Sequence, residues 1–304
     1  MMSLSRQRLG WNGVMLGHMP PATFSERLHF QAPLCPDNLF GHLIATAVPG
    51  VEEWRDGVYR RTLRLPYGFG IAALQPFQDH VECVLELSDS RDSASALDLC
   101  RFLLDLDVDP FVVDAALSAD PLLAPLVAAA PGRRVPRTVD GAEFAVRAVL
   151  GQQVSTKAAR THAARLVAAH GTPVGDLFLF PLSFDVAELA MPESRRRTMA
   201  ALLEALESGL DLSPGADRVV AREWLSSLPG FGPWTVESIL MRSLGDPDAF
   251  LPTDLGIRLA AEALGLPSTP GALVKRAEAW RPWRAYAVQH LWATGDHEVN
   301  RIPA

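Results

Sequence analysis

Leu228-Pro229-Gly230-Phe231-Gly232-Pro233-Trp234-Thr235 separates two stretches of helical periodicity, at about 217–226 and 234–244. The two glycines permit a tight turn whose peptide N–H groups point outward, toward the start of the second helix. Such a nest next to a helix N-terminus binds an anionic phosphate without a basic side chain. The same residues also suit an ordinary interhelical turn, where Gly and Pro simply stop and start helices. Fifteen residues beyond Thr235 begins Phe250-Leu251-Pro252-Thr253-Asp254-Leu255-Gly256, which puts Asp254 nineteen residues beyond Thr235, at the start of a further periodic stretch at 254–264. Asp254 falls at or near a helix N-terminus, where free N–H groups and the helix dipole favour a carboxylate. Taken singly, an Asp there is an N-cap.

Outward from this point the second half of the chain is helical throughout. Periodic stretches cover 142–169 (interrupted near Gly151), about 193–208 and 282–293, with short connections and no repeat of fixed period. Before them lie helical runs at 97–106, 110–117 and 121–130, then the Pro/Arg-rich connector Pro131–Arg137. The first part differs. One helix is expected over Asp37–Ala47, followed by strand-like alternation in Tyr59–Leu65, Gly70–Leu74 and His80–Leu87. The fold class is therefore an α+β N-terminal domain, an antiparallel sheet with helices, followed by an all-α core of two helical subdomains. The expected boundaries are a loose extension over 1–30, the α+β domain over 31–116, one helical subdomain from 117–140 plus 247–304, and the other over 141–246.

Composition sets limits on function. The 304 residues are 48% hydrophobic and 21% charged, a globular balance, and no apolar run approaches the ~18 residues of a membrane span. The N-terminus lacks the apolar core and small-residue cleavage site of a signal peptide. Cys35, Cys83 and Cys100 contain no CxxC pair, which argues against a disulfide framework, a zinc site or an iron–sulfur cluster, and a reducing cytoplasm is expected. The net charge of −7 opposes a nucleic-acid reading, but it is uneven: residues 1–136 hold 11 Lys/Arg against 16 Asp/Glu, and residues 137–304 hold 17 against 19. A basic surface is still open to the second half, and a backbone nest needs none.

The helix–hairpin–helix with LPGxG, followed at this distance by Asp254, resembles the helix–hairpin–helix DNA glycosylase superfamily, and within it the AlkA-type 3-methyladenine DNA glycosylases. The resemblance extends to Phe144-Ala-Val-Arg-Ala-Val-Leu-Gly-Gln-Gln-Val-Ser155 and to Trp280-Arg-Pro-Trp-Arg-Ala-Tyr-Ala-Val-Gln-His-Leu-Trp292. It runs more weakly through Ala47–Glu52 and Tyr59–Leu63, covering roughly residues 33–300 in the family's order.

The resemblance implies a monofunctional base-excision enzyme that flips a damaged base from double-stranded DNA and hydrolyses its N-glycosidic bond. The lesions expected are alkylated bases of the 3-methyladenine or 7-methylguanine type. Asp254 matches the catalytic Asp, which stabilises an oxocarbenium-like C1′. Trp234 stands where bifunctional relatives carry a Schiff-base lysine, so an uncut abasic site is implied. Trp234 and Trp292 flank the flipped base. Gly230, Gly232 and Thr235 match phosphate contacts, and the carbonyls of Ser226, Leu228 and Phe231 match those holding a monovalent Na or K ion. No cofactor is implied for catalysis. Gln153 matches the side chain that wedges into the vacated stack, where the type member has Leu. His42, Ser238 and Leu255 align with aromatic pocket positions, so a more polar pocket is expected. Arg281, Trp283 and Arg284 are assigned to structure, with phosphate contact as the alternative. The chain is expected to act as a monomer. A glycosylase for deaminated or oxidised bases and a non-catalytic helix–hairpin–helix DNA binder are the alternatives.

Overall fold

A computed structural model describes residues 22–303. In chain order the elements are β1 (Ala22–His29), α1 (Pro36–Thr46), β2 (Glu52–Arg55), β3 (Val58–Arg64), β4 (Phe69–Pro76), β5 (His80–Leu87), α2 (Ser93–Leu103), α3 (Pro110–Ser118), α4 (Ala124–Ala129), α5 (Gly141–Leu150) and α6 (Thr156–His170). They continue with β6 (Thr172–Val174), β7 (Leu177–Leu179), α7 (Glu193–Glu207), α8 (Arg218–Ser227), α9 (Pro233–Ser243), α10 (Leu255–Ala263), α11 (Pro270–Ala277) and α12 (Arg284–Trp292).

The N-terminal part is a five-stranded antiparallel sheet in the order β1-β5-β4-β3-β2. Alternate residues of the central strands, such as Val81, Cys83, Leu85 and Leu87 of β5, are buried against α1 and α2. The expected extension over residues 1–30 needs correcting here. Ala22–His29 pairs along its whole length with β5, from Ala22 opposite Leu87 to His29 opposite His80. It is an edge strand that buries only Leu28, so ladder hydrogen bonds hold it in place with little help from an apolar face. Residues 1–21 of the expected extension lie outside the described residues. Three further short strands, β2, β6 and β7, lie outside the runs that alternation predicts; β2 pairs with β3, and β6 with β7.

The helices bury a second, larger core that includes Val146, Val149, Leu202, Leu225, Ile239, Leu240, Ile257, Trp280 and Leu291. Their starts follow from local chemistry. Asp140, Ser155 and Asp217 each accept backbone N–H groups of the first turn, from Glu143, Ala158, and Val219 with Val220. A buried ionic network joins the sheet to this core. Arg61 on β3 donates to Glu52 at 3.2 Å and to Glu143 on α5 at 2.9 Å. Arg147, one turn along α5, donates to Glu52, to Glu143 and to the Thr46 carbonyl at 2.6–2.8 Å. Two carboxylates face two guanidiniums, and the charges balance. Arg61, Glu52 and Glu143 are all under 5% exposed. The network carries α1 and its His42 up to the helical core, where they form part of one wall of a cleft.

Candidate active site and nucleic-acid interface

Asp254 is the N-cap of α10, as its position before Leu255-Gly256 foretells, and its Oδ1 accepts the Ile257 N–H at 3.0 Å. Its carboxylate has two further donors. The indole Nε1 of Trp292 donates to Oδ1 at 2.8 Å, and that of Trp234 donates to Oδ2 at 2.9 Å. Three N–H groups from three helices thus fix both oxygens of one half-buried carboxylate. Gly256 makes room for this arrangement. A Cβ there would stand 3.2 Å from Asp254 Oδ1 and 3.2 Å from Trp292 Cδ1, too tight for the indole to keep its place.

This cluster lines a cleft of about 1110 Å³. Trp234, Ser238 and Arg242 recur every four residues along α9 and all line it. Trp234 is 40% exposed at the mouth, while Ser238 and Arg242 are 6% and 4% exposed. Opposite stands Trp292, with the Arg242 guanidinium 5.5 Å from its ring centroid. His42 comes from α1. Burial first, then the positive charges of Arg242, Arg147 and His297, push its imidazole well below the usual histidine range, so it is neutral at pH 7. The chain after α12 completes the wall: Thr294 to His297 line the cleft, held by Asn300 Nδ2 donating to the Trp292 and Gly295 carbonyls. A Cβ at Gly41 would overlap the Arg301 backbone at 2.6 Å, which is how closely this segment crosses α1.

The hairpin adjoins the cleft. Gly230 has φ +80°, and a Cβ there would lie 2.1 Å from Thr198 Oγ1 on α7, so glycine is required by both conformation and space. Gly232 differs from the expectation for it. Its φ is −82°, and a Cβ would meet nothing within 4 Å. The turn does not need this glycine; the space beside it is simply open. Among the described residues the N–H groups of Gly230, Gly232 and Thr235 have no acceptor, and they stand at the N-terminus of α9. Gln153 sits at φ +59° in the exposed turn between α5 and α6 and lines the cleft edge. Its neighbour Gln152, which the sequence reading missed, ties that turn to the hairpin: Nε2 donates to the Gly230 carbonyl at 3.1 Å and to Thr235 Oγ1 at 3.5 Å.

Of the residues chosen from sequence, Asp254, Trp234, Trp292, His42, Ser238, Gly230, Thr235 and Gln153 come together along this one cleft. Leu255 does not. It is 65% exposed and is not part of the lining, whereas Leu259, one turn further along α10, lies in the wall. Being four residues apart, the two share a face of α10, and the cleft wall meets that helix from Gly256 and Leu259 onward. Arg281 and Arg284 are engaged within the protein, Arg281 with Glu278 and Asp248 and Arg284 with Asp248 at 2.7 Å. Trp283 packs edge-on against Tyr286.

A model of the AlkA N-terminal domain matches residues 25–140, beginning inside β1. DNA-3-methyladenine glycosylase 2 of Escherichia coli (strain K12) is 32% identical over 281 residues, covering 88% of this chain and 96% of the relative. The chain belongs to the AlkA family of DNA-3-methyladenine glycosylases. This family member is 56% identical over 292 residues to a Mycobacterium tuberculosis (strain ATCC 25618 / H37Rv) protein named as a probable bifunctional transcriptional activator/DNA repair enzyme AlkA. That alignment covers 92% of the chain but spans only 59% of the relative's length. Among solved structures, a 3-methyladenine DNA-glycosylase from Archaeoglobus fulgidus superposes with a TM-score of 0.76 at 21% identity, covering 88% of this chain and 97% of the other, and so shares the fold.

Proposed function

We propose that this AlkA family member is a monofunctional DNA glycosylase that hydrolyses the N-glycosidic bond of alkylated bases flipped out of duplex DNA. The observation that carries this reading is the Asp254 carboxylate, with both oxygens held by indole N–H groups at the edge of a cleft beside the hairpin. A base alkylated on a ring nitrogen carries positive charge and leaves without a general acid. As the C1′–N bond stretches, positive charge grows on C1′, and a carboxylate already oriented stabilises it without reorganising at that moment. Water adds to C1′ as the base departs, and its proton passes to Asp254 or to solvent.

In this reading the hairpin N–H groups of Gly230, Gly232 and Thr235 take a DNA phosphate, with Gly232 leaving open the space the phosphate needs. Gln153, at a left-handed backbone position in the turn facing the duplex, fills the gap left by the flipped nucleotide. A monovalent cation fits the carbonyls of Ser226, Leu228 and Phe231. Among the described residues those of Ser226 and Phe231 accept no hydrogen bond, and that of Leu228 accepts only the Phe231 N–H. Such an ion would add positive charge next to the phosphate.

Trp234 cannot form an imine, and neither Lys157 nor Lys275 lines the cleft. The expected product is therefore an intact strand with an abasic site. The test is a panel of duplexes, each bearing one lesion, assayed for base release with and without hot alkali and with borohydride present. Alkylated bases should be released, with strand breakage only after alkali and no covalent adduct. Base release absent across the panel, or a trapped adduct, refutes the reading.

A further inference from the structure

The turn that carries Gln153, residues 151–154 between α5 and α6, is weakly held by its own backbone. Past the C-cap Gly151 its bonds are long, 3.3 Å from the Gln152 N–H to the Val149 carbonyl and 3.4 Å from the Val154 N–H to the Gly151 carbonyl. Gln153 itself sits at φ +59°, a left-handed position that a residue with a Cβ keeps only where its surroundings impose it. Two side-chain bonds to neighbouring elements do so. Arg195 on α7 donates Nη1 to the Gln152 carbonyl at 3.0 Å, and Gln152 Nε2 donates to the Gly230 carbonyl of the hairpin at 3.1 Å. The Gln152 carbonyl belongs to the peptide plane that joins Gln152 to Gln153. A donor on that oxygen therefore fixes the plane from which the Gln153 side chain is aimed.

Helix α7 serves both partners. Arg195 and Thr198 lie three residues apart on one face of it, the first against the turn and the second against Gly230, where a Cβ would stand 2.1 Å from Thr198 Oγ1. Among the described residues the Arg195 guanidinium makes no ion pair and only this one hydrogen bond, with its Nε buried and unpartnered. Its neighbour Arg196 is paired with Glu193. The hairpin does not depend on these ties, because Gly230 is set by its own conformation and by Thr198. The turn does. We propose that Gln152 and Arg195 are positioning residues for base flipping. They lock the Gln153 turn to the hairpin and to α7, so that a duplex whose phosphate sits on the hairpin meets a wedge already aimed at its stack. The turn is thus ordered on folding and not at the expense of the flipping step. Gln152 Nε2 also reaches Thr235 Oγ1 at 3.5 Å, occupying an acceptor site of that hydroxyl and leaving its proton for the phosphate. Neither Gln152 nor Arg195 acts on the reacting atoms.

The inference rests on the reading of Gln153 as the wedge of a glycosylase, and the experiment separates the two. Single-turnover excision of an alkylated base is measured at saturating enzyme with the full-length chain, together with affinity for an undamaged duplex. The fluorescence of a 2-aminopurine placed beside the lesion reports unstacking. Gln152→Met keeps the length of the side chain and loses its donor. It should lower the saturating rate and the unstacking signal about 3- to 10-fold, the weight of one hydrogen bond, with affinity for undamaged duplex within about twofold of wild type. Arg195→Met should behave alike, and Arg195→Lys, which restores a donor, should recover part of the loss. The two positions lie on separate elements, so a variant that fails to fold at one leaves the other to decide. In a Gln153→Ala background, Gln152→Met should cost less than about twofold more, because it acts through the side chain already removed. Losses that multiply in that double variant, or a normal rate in Gln152→Met, overturn the inference and spare the proposed function. Weaker binding of undamaged duplex by Arg195→Met overturns its positioning role and makes it a phosphate contact. A normal rate in Gln153→Ala removes the wedge, and the inference with it, while base release stands. Release of no alkylated base by wild type overturns the proposed function and the inference together.

Discussion

Replacing Asp254 by Asn should separate charge from capping, and the geometry around the carboxylate sets the numbers. Asn can place its amide oxygen where Oδ1 lies, still accepting the Ile257 N–H and the Trp292 indole. Its amide NH2 then faces the Trp234 Nε1–H, donor against donor, where a carboxylate oxygen accepts at 2.9 Å. A buried charge-assisted bond of this kind is worth roughly 1.5–3 kcal/mol, but Trp234 is 40% exposed, and water can replace the lost acceptor. The expected loss of stability is therefore about 1–2 kcal/mol, a midpoint shift of a few degrees. Catalysis should suffer far more. A full negative charge some 4 Å from a developing sugar cation, at an effective dielectric of 20, contributes about 4 kcal/mol, or on the order of a thousandfold in rate. Single-turnover excision of an alkylated base, with enzyme in excess and abasic sites read out by alkali cleavage, measures that loss directly. Duplex affinity and the thermal midpoint are measured in parallel. An Asn variant that excises within tenfold of wild type would refute the electrostatic role of Asp254. A variant whose thermal midpoint falls by tens of degrees would refute the account of the cap.

Three other outcomes follow from the same packing. Gly232→Val should weaken binding to every duplex, damaged or not, with an unchanged thermal midpoint, because its Cβ meets nothing in the protein; Gly230→Val should lower the midpoint itself through Thr198 and a left-handed backbone, and equal behaviour of the two would contradict this assignment. Glu143→Gln leaves Arg61 and Arg147 sharing Glu52 alone, and denaturant titration should show about 3–5 kcal/mol lost; a loss under 1 kcal/mol would mean the network is not the joint between sheet and helices. His290 is held down to about 3 by burial, with Arg133 adding to it, so the unfolded chain takes up a proton below about 6.5 that the folded chain refuses until about 3; stability is complete above 6.5 and declines as pH falls through that window, by at most about 1.4 kcal/mol per unit, and His290→Gln should flatten this slope in thermal melts between pH 6.5 and 4.5.

Much of this molecule can be read in its sequence, because the signals concerned are local. The period of α5, α8 and α9, the alternation of β5, the turn residues around Gly230 and the N-cap at Asp254 each depend on neighbours within a few positions. What the sequence hides is whatever depends on a distant partner. β1 carries Thr23, Ser25, Glu26 and Arg27 and buries one residue, so nothing in its own composition announces a strand; it exists because β5 has a free edge. α11, with a buried face of Leu273 and Ala277 only, is too short and too polar to show a period. Gln152 reads as a solvated turn residue until the hairpin is brought beside it.

Arg242 is the clearest case of the same limit. A charged residue on a helix reads as an outward-facing one, and nothing near it in sequence says otherwise. Yet a helix that turns Trp234 and Ser238 to one side must turn Arg242 to that side as well, since each lies four residues from the last. Once Trp234 is fixed by its bond to Asp254, the guanidinium has nowhere else to go. The charge is then held at the inner end of a cleft by helix geometry alone, with a backbone carbonyl where a carboxylate would normally be. Burial without a counter-ion is expensive to maintain, and packing could relieve it with a single apolar substitution at this position. Arg134, fully buried and away from the cleft, is held in the same way by the carbonyls of Val108 and Gln31, so backbone acceptors are this protein's recurrent answer to a buried guanidinium.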